Sequence, residues 1–346
     1  MRAAILHGPS ELAIEELSSP EPDPGEVVLD VAAACTCGTD VKSYKRGHPS
    51  LGGYPARFGH EFAGIVAAVG DGVERVAVGD EAFCANSAPC GVCFQCMRGR
   101  FSLCEDLLYL LGGFAEKLLV PPRIAAANLH RLPPGLDLYT APLAEPLACA
   151  LHAVSRAGIR IGDRVAIVGG GALGIMLCAL VRRAGGEPIV CARSPERLEL
   201  AKRFGAVETV AGLSGEEDVQ EVLARTAGGR GADQVFEAVG RPETWELAIE
   251  LARPGGAVNL FGGCARGTRV GVRTERVHYE EVELRATYHH TPRYIEGALR
   301  VLAEGDEPWS ELCGPAIGLD DLQAALEGTL EATPAPKYSV RPAGVR

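Results

Sequence analysis

The sequence has no run approaching the roughly 20 consecutive apolar residues of a membrane-spanning helix, which excludes an α-helical membrane protein. It also lacks a secretory leader pattern. The start, Met1-Arg2-Ala3-Ala4-Ile5-Leu6-His7, reaches Gly8 and Pro9 before an apolar h-region has formed. A cytoplasmic protein is the resulting expectation. Basic charge is in short supply as well: 34 Lys and Arg stand against 45 Asp and Glu, a formal net charge of -11. Nucleic acids and anionic membranes are bound through basic faces, so neither is expected as a partner. No internal repeat and no low-complexity tract is present.

What is present suits an ordinary globular protein, with 47% hydrophobic and 23% charged residues. A chain of 346 residues exceeds one typical core and predicts two domains. Up to about residue 150 the chain is rich in Gly, Pro and short Val-containing runs. Val27–Val31 and Phe62–Val66 read as strands of a mainly β domain, with the Pro-rich stretch Ser19–Gly25 as a loop between strands. From Gly162 onward short apolar runs alternate with helical stretches. Arg164–Val168 is followed by Leu173–Ala184, Pro188–Cys191 by Glu196–Phe204, and Gln234–Ala238 by Glu243–Leu251, with Val258–Phe261 next. That alternation predicts βαβ units around a parallel sheet. Helices resume after about residue 290, and Lys337–Val340 reads as a last strand.

Gly169-Gly170-Gly171-Ala172-Leu173-Gly174 fits G-x-G-x-x-G. The pattern alone is weak in a chain with 43 glycines, where it also describes a turn in other α/β proteins. Here the apolar strand Val165–Val168 precedes it and an apolar helix follows. In that context Gly169 serves a tight turn, Gly171 lets a pyrophosphate approach, Gly174 lets helix and strand pack closely, and the amides of Ala172 and Leu173 open the helix toward the phosphate. An acid at the end of the next strand would bond the ribose 2′-hydroxyl of NAD. The chain has Cys191-Ala192-Arg193-Ser194 instead. Arg193 and Ser194, with Arg197 as helper, suit a 2′-phosphate, so NADP is favoured over NAD. Arg193 as a solvated loop charge is the other reading.

Twelve cysteines are present. In a cytosolic chain, clustered cysteines point to metal or catalysis. Cys90, Cys93, Cys96 and Cys104 offer four thiolates within fifteen residues, a closed tetrahedral set for a structural Zn²⁺. Cys84 is off that spacing and reads as a buried thiol. Three further segments hold metal-binding residue types: Cys35-Thr36-Cys37-Gly38-Thr39-Asp40, Gly59-His60-Glu61-Phe62-Ala63-Gly64, and Leu143-Ala144-Glu145-Pro146-Leu147. Singly they read equally well as a core thiol, a satisfied histidine and a carboxylate at a helix start.

Taken in order, these segments resemble the zinc-containing medium-chain alcohol dehydrogenase family along essentially the whole chain. Gly59–Val73 reads like its signature G-H-E-x-x-G-x5-G-x2-V; Cys37–Asp40, the four-cysteine lobe, Gly112–Glu116 and the Gly-rich turn follow the family's order. Glu145-Pro146-Leu147-Ala148 resembles the polyol and threonine dehydrogenase branch, with Glu where other members have Cys. The resemblance implies an α/β protein: a GroES-like β catalytic domain from 1–150 with 290–346, and a Rossmann domain, a doubly wound parallel sheet, from 151–289. It places the site in the cleft between them. It implies Cys37, His60 and Glu145 as catalytic zinc ligands, with Glu61 as an exchangeable ligand and catalytic group. Asp40 would fix the tautomer of His60, and Thr39 would take the substrate's proton. The implied chemistry is reversible hydride transfer between an alcohol and NAD(P), with small-molecule alcohol and ketone substrates. The family implies a homodimer or homotetramer.

Two departures bear on this expectation. Where many relatives carry a relay histidine, the chain has Lys42, and a lysine in general suits a relay poorly at neutral pH. Lys42 then binds cofactor or an anionic substrate, or points outward, while Tyr44, His48 or water completes the path. The Arg-Tyr pair of the polyol branch is replaced around Tyr288-His289-His290, with Arg293-Tyr294 shortly after. His289 and His290 fit a pocket lining or a hinge. A zinc-free quinone reductase lacks the ligands found here. A non-catalytic NADPH-binding sensor on the same scaffold is the rival from another class, opposed by the joint presence of Cys37, Thr39, His60 and Glu145.

Overall fold

The computed structural model describes residues 1–48, 51–212, 216–330 and 333–344. It divides into two units, one made of Met1–Ala148 and His290–Arg346 and the other of Cys149–His289. The first division falls inside the helix Ala144–Ala157.

In the Cys149–His289 unit the apolar run at 164–168 forms the strand Arg164–Val168, buried at every position after Arg164. It lies inside a six-stranded parallel sheet. The order is Glu208–Ala211, Glu187–Ala192, Arg164–Val168, Ala232–Glu237, Ala252–Leu260 and Glu283–Ala286. Numbered along the chain this is 3-2-1-4-5-6, the doubly wound order of a dinucleotide-binding sheet. Residues Gly174–Val181 of the helix Ala172–Arg183 are all buried. The predicted strand Val258–Phe261 is longer than its sequence suggests, running Ala252–Leu260. Pro254-Gly255-Gly256 reads as a turn, but its residues sit in a register shift of the pairing between Ala232 and Gln234, where a strand tolerates them.

In the other unit, Val27–Cys35 and Phe62–Val69 pair antiparallel at the centre of a seven-stranded sheet. The strand Lys337–Val340 is inserted beside Val27–Cys35, pairing Ser339 with Cys35, and Cys313–Ile317 pairs on its far side. Residues more than 300 positions apart are thereby paired on neighbouring strands inside one sheet. The core beneath this sheet contains Leu29, Phe58, Phe62, Phe114, Leu118 and Leu129. The Ser19–Gly25 stretch lies between the strands Glu11–Glu16 and Val27–Cys35, as a loop should. Among the described residues, no helix is long and apolar enough to cross a membrane.

Candidate catalytic and cofactor sites

Cys37 ends the stretch after Val27–Cys35 and is the N-cap of the helix Gly38–Arg46. Asp40, at the third helical position, closes the cap by accepting from the Cys37 amide at 2.9 Å through Oδ2. Its other oxygen, Oδ1, lies 3.0 Å from His60 Nδ1. One buried carboxylate therefore fixes both the backbone of Cys37 and the ring of His60, leaving His60 Nε2 for another partner. Burial pushes the His60 pKa down, but Asp40 outweighs it and the net shift is well upward.

The ligand atoms of Cys37, His60 and Glu61 lie within 4.8 Å of one another. Glu145 is outside that group, at the start of Ala144–Ala157, yet near enough for the charges of His60 and Glu61 to act on it. Burial raises its pKa to about 7. Its Oε1 accepts from Asn86 Nδ2 at 3.1 Å, and Asn86 Oδ1 lies 2.7 Å from His290 Nε2. With the amide donating to the carboxylate, Asn86 Oδ1 is an acceptor, so His290 donates through Nε2. His290 thus supports Glu145 from behind. His289 belongs to the other unit, where its carbonyl accepts from His152 Nδ1 at 2.8 Å.

Glu61 is fully buried, and both its oxygens lie 2.7 Å from Lys337 Nζ, which also donates to the Thr36 carbonyl at 3.1 Å. Burial raises the Glu61 pKa, with Lys337 acting in opposition. The lysine in the last strand carries no spacing signal in the sequence. Thr39 and Lys42 are both half-buried and three residues apart on the Gly38–Arg46 helix, so they share a face. Tyr44 is about 140° round that helix from Thr39. Its hydroxyl donates to Glu327 at 2.6 Å, which favours His48 or water over Tyr44 for the proton path.

The lobe cysteines Cys90, Cys93, Cys96 and Cys104 are gathered within 4.8 Å, and all are free thiols. Cys93 and Cys104 sulfurs are 3.9 Å apart. A tetrahedron with Zn–S bonds of about 2.3 Å puts its sulfurs about 3.8 Å apart. Amides point at the sulfurs: Cys90 N at Cys104 Sγ, 3.2 Å, and Cys93 N at Cys90 Sγ, 3.3 Å. The Glu105 amide leads the bonds that hold the Cys93 thiol down to about 6, whereas burial pushes the Cys96 and Cys104 thiols up.

In the parallel-sheet unit the Gly-rich turn is tight and closely packed. Gly169 sits at φ +120°, and a Cβ on Gly174 would lie 1.8 Å from the Gly169 carbonyl oxygen. A Cβ built on Gly171, the N-cap of the helix opened by Ala172 and Leu173, would meet open space. Where Glu187–Ala192 ends, Arg193 is exposed and Ser194 caps the helix Pro195–Arg203, accepting from the Arg197 amide at 3.3 Å. Glu237, at the end of Ala232–Glu237, belongs to no motif in the sequence. It is fully buried, and its Oε1 accepts from the amides of Val239 and Gly240, both 2.9 Å, and from Thr244 Oγ1, 2.7 Å. Val239 in turn lies against Gly169.

Residues 23–133 match the alcohol dehydrogenase GroES-like domain family and residues 172–304 the zinc-binding dehydrogenase family. The chain is 30% identical over 341 residues to a sorbitol dehydrogenase of Bacillus subtilis, covering 96% of this chain and 94% of that one. It is 29% identical to an erythritol/L-threitol dehydrogenase of Mycolicibacterium smegmatis, covering 99% and 98%. A zinc-binding dehydrogenase from Sinorhizobium meliloti, solved bound to NADP, shares the fold at TM-score 0.88 and 30% identity, covering 99% of each chain. With its paired GroES-like and parallel-sheet units, the chain belongs to the zinc-type medium-chain alcohol dehydrogenase family, the NAD(P)-dependent alcohol oxidoreductases.

Proposed function

We propose that the protein is a zinc-dependent oxidoreductase that moves a hydride between NADP, in preference to NAD, and a secondary alcohol, polyol, sugar or related compound, reversibly to the ketone or aldehyde. The observation that carries this reading is the grouping of Cys37, His60 and Glu61, with Asp40 holding the Cys37 amide and the His60 ring. The donor set of thiolate, imidazole and carboxylate suits zinc. Cys37, His60 and Glu145 would hold the catalytic ion, with Glu61 exchanging in, and Cys90, Cys93, Cys96 and Cys104 a structural one. Bound at the catalytic position, zinc supplies Lewis acidity that lowers the pKa of an alcohol.

The chain's residues do the rest. Asp40 orients His60; Thr39 accepts the substrate's hydroxyl proton; Lys42, on the same helix face, binds cofactor or an anionic substrate. Gly169, Gly171, Ala172, Leu173 and Gly174 cradle the pyrophosphate, and Arg193, Ser194 and Arg197 take the 2′-phosphate. The unit of 1–148 with 290–346 has the catalytic role and that of 149–289 the cofactor role. The sorbitol and erythritol dehydrogenase relatives support a polyol-like substrate, and the NADP-bound relative supports the cofactor. A cytoplasmic homodimer or homotetramer without nucleic-acid or membrane partners completes the reading.

The test compares zinc content with kcat on an alcohol panel. His60→Ala is expected to lose the catalytic zinc and nearly all turnover. Thr39→Val is expected to keep zinc and cofactor binding and lose turnover by about 10²–10⁴-fold, the range of a lost acid–base group. Full activity of His60→Ala after dialysis against chelator refutes the zinc reading.

A further inference from the structure

The corner assigned above to the 2′-phosphate already holds an anion of the chain's own. Ser194 Oγ donates to Glu196 Oε2 at 2.5 Å while accepting from the Arg197 amide. This happens at the N-terminus of the nine-residue helix Pro195–Arg203, where the helix dipole favours negative charge. The Ser194 bond, followed by Glu196's own amide and the charge of Arg197, lowers the Glu196 pKa, so the group is ionised at neutral pH. The position belongs to the cofactor corner. A Cβ on Gly170 in the Gly-rich turn would lie 2.6 Å from Ala192 Cβ and 3.1 Å from Arg197 Cβ. Gly170, Ala192, Ser194 and Arg197 therefore adjoin one another.

We propose that Glu196 is a specificity-determining residue: its carboxylate competes with the 2′-phosphate of NADP for the Ser194 hydroxyl and the Arg197 charge, weakening an otherwise stronger preference for NADP. The inference rests on the NADP reading above and sharpens it. A phosphate monoester carries nearly two negative charges at neutral pH and must displace or adjoin this carboxylate. NAD presents a neutral hydroxyl there and meets no such repulsion. In an exposed site, repulsion between a carboxylate and a phosphate a few ångströms apart is worth roughly a factor of ten in affinity. Glu196→Gln keeps the length and an acceptor for Ser194 while removing the charge.

The experiment uses the full-length, zinc-loaded protein and reads binding without catalysis. Adenosine 2′,5′-bisphosphate and 5′-AMP are titrated calorimetrically into wild type, Glu196→Gln and Arg193→Ala, and kcat/KM for NADP and NAD is measured alongside. Glu196→Gln is expected to bind the bisphosphate about tenfold tighter and 5′-AMP within twofold of wild type, with the NADP-to-NAD ratio of kcat/KM rising by the same factor. An unchanged bisphosphate affinity, or an equal change for both ligands, overturns the proposal. Weaker 5′-AMP binding in Glu196→Gln overturns it too, because the carboxylate is then serving the 2′-hydroxyl. Arg193→Ala separates the two levels. If wild type does not prefer the bisphosphate and Arg193→Ala changes nothing, the NADP reading fails, and the proposal with it. If both behave as that reading requires while Glu196→Gln is silent, the proposal alone fails.

Discussion

Lys337→Met tests the account of Glu61 most directly. The substitution leaves a fully buried carboxylate without the ammonium that both its oxygens contact at 2.7 Å. Breaking one side of such a pair costs about 3–5 kcal/mol, because the remaining charge is desolvated and uncompensated. The unit that contains the pair has roughly 200 residues, for which each kcal/mol shifts Tm by about 2–4 °C, so a fall of roughly 10 °C is expected. The loss depends on pH with a definite sign. Burial already raises the Glu61 pKa, and without Lys337 it rises further. A carboxyl whose folded pKa exceeds its unfolded value contributes stability below the unfolded value and loses it as pH rises through the folded one. The deficit of the variant therefore grows from pH 5 to pH 8, by at most about 1.4 kcal/mol per unit.

The readout is fluorescence of Trp309 during urea unfolding. Trp309 is buried in the same unit, and Trp245, the other tryptophan, is replaced by Phe in all samples. The double variant Glu61→Gln with Lys337→Met should recover most of the loss, since neither charge of the buried pair remains. A deficit below about 1 kcal/mol at pH 8, a deficit independent of pH, or no recovery in the double variant refutes the reasoning.

Two further outcomes are expected. Cys96→Ser should lower the zinc content by one ion per chain and reduce thermal stability, as measured by elemental analysis and calorimetry; unchanged values remove the structural-zinc assignment. Glu237→Gln should retain the three bonds accepted by Oε1 and gain stability relative to wild type as pH rises from 4 to 8. Burial raises the pKa of Glu237, so the wild type loses stability through that window while Gln does not titrate. Melting curves across pH in which the difference stays flat would count against a raised pKa at the buried Glu237.

What the sequence determined by itself was local. Cys90, Cys93, Cys96 and Cys104 lie within fifteen residues, so a short loop has few ways to place four thiols other than around one centre. Gly169–Gly174 was legible because the turn, the close contact and the helix start all fall within six residues. The alternation of apolar runs with helical stretches after Gly162 was enough for the parallel sheet, since strand burial and helix period are both short-range patterns. Cys37, His60 and Glu145 were joined only by resemblance, because their spacing carries no geometric constraint. The tertiary structure alone decided that the carboxylate expected at His60 also holds the Cys37 amide, that Asn86 links Glu145 to His290, which lies 204 positions from Asn86, and that Lys337 holds Glu61 across 276. Those contacts depend on sheet register. Ser339 pairs with Cys35 and Phe62 with Ala34. A one-residue slip of the last strand would turn Lys337 to the opposite face of the sheet, away from Glu61.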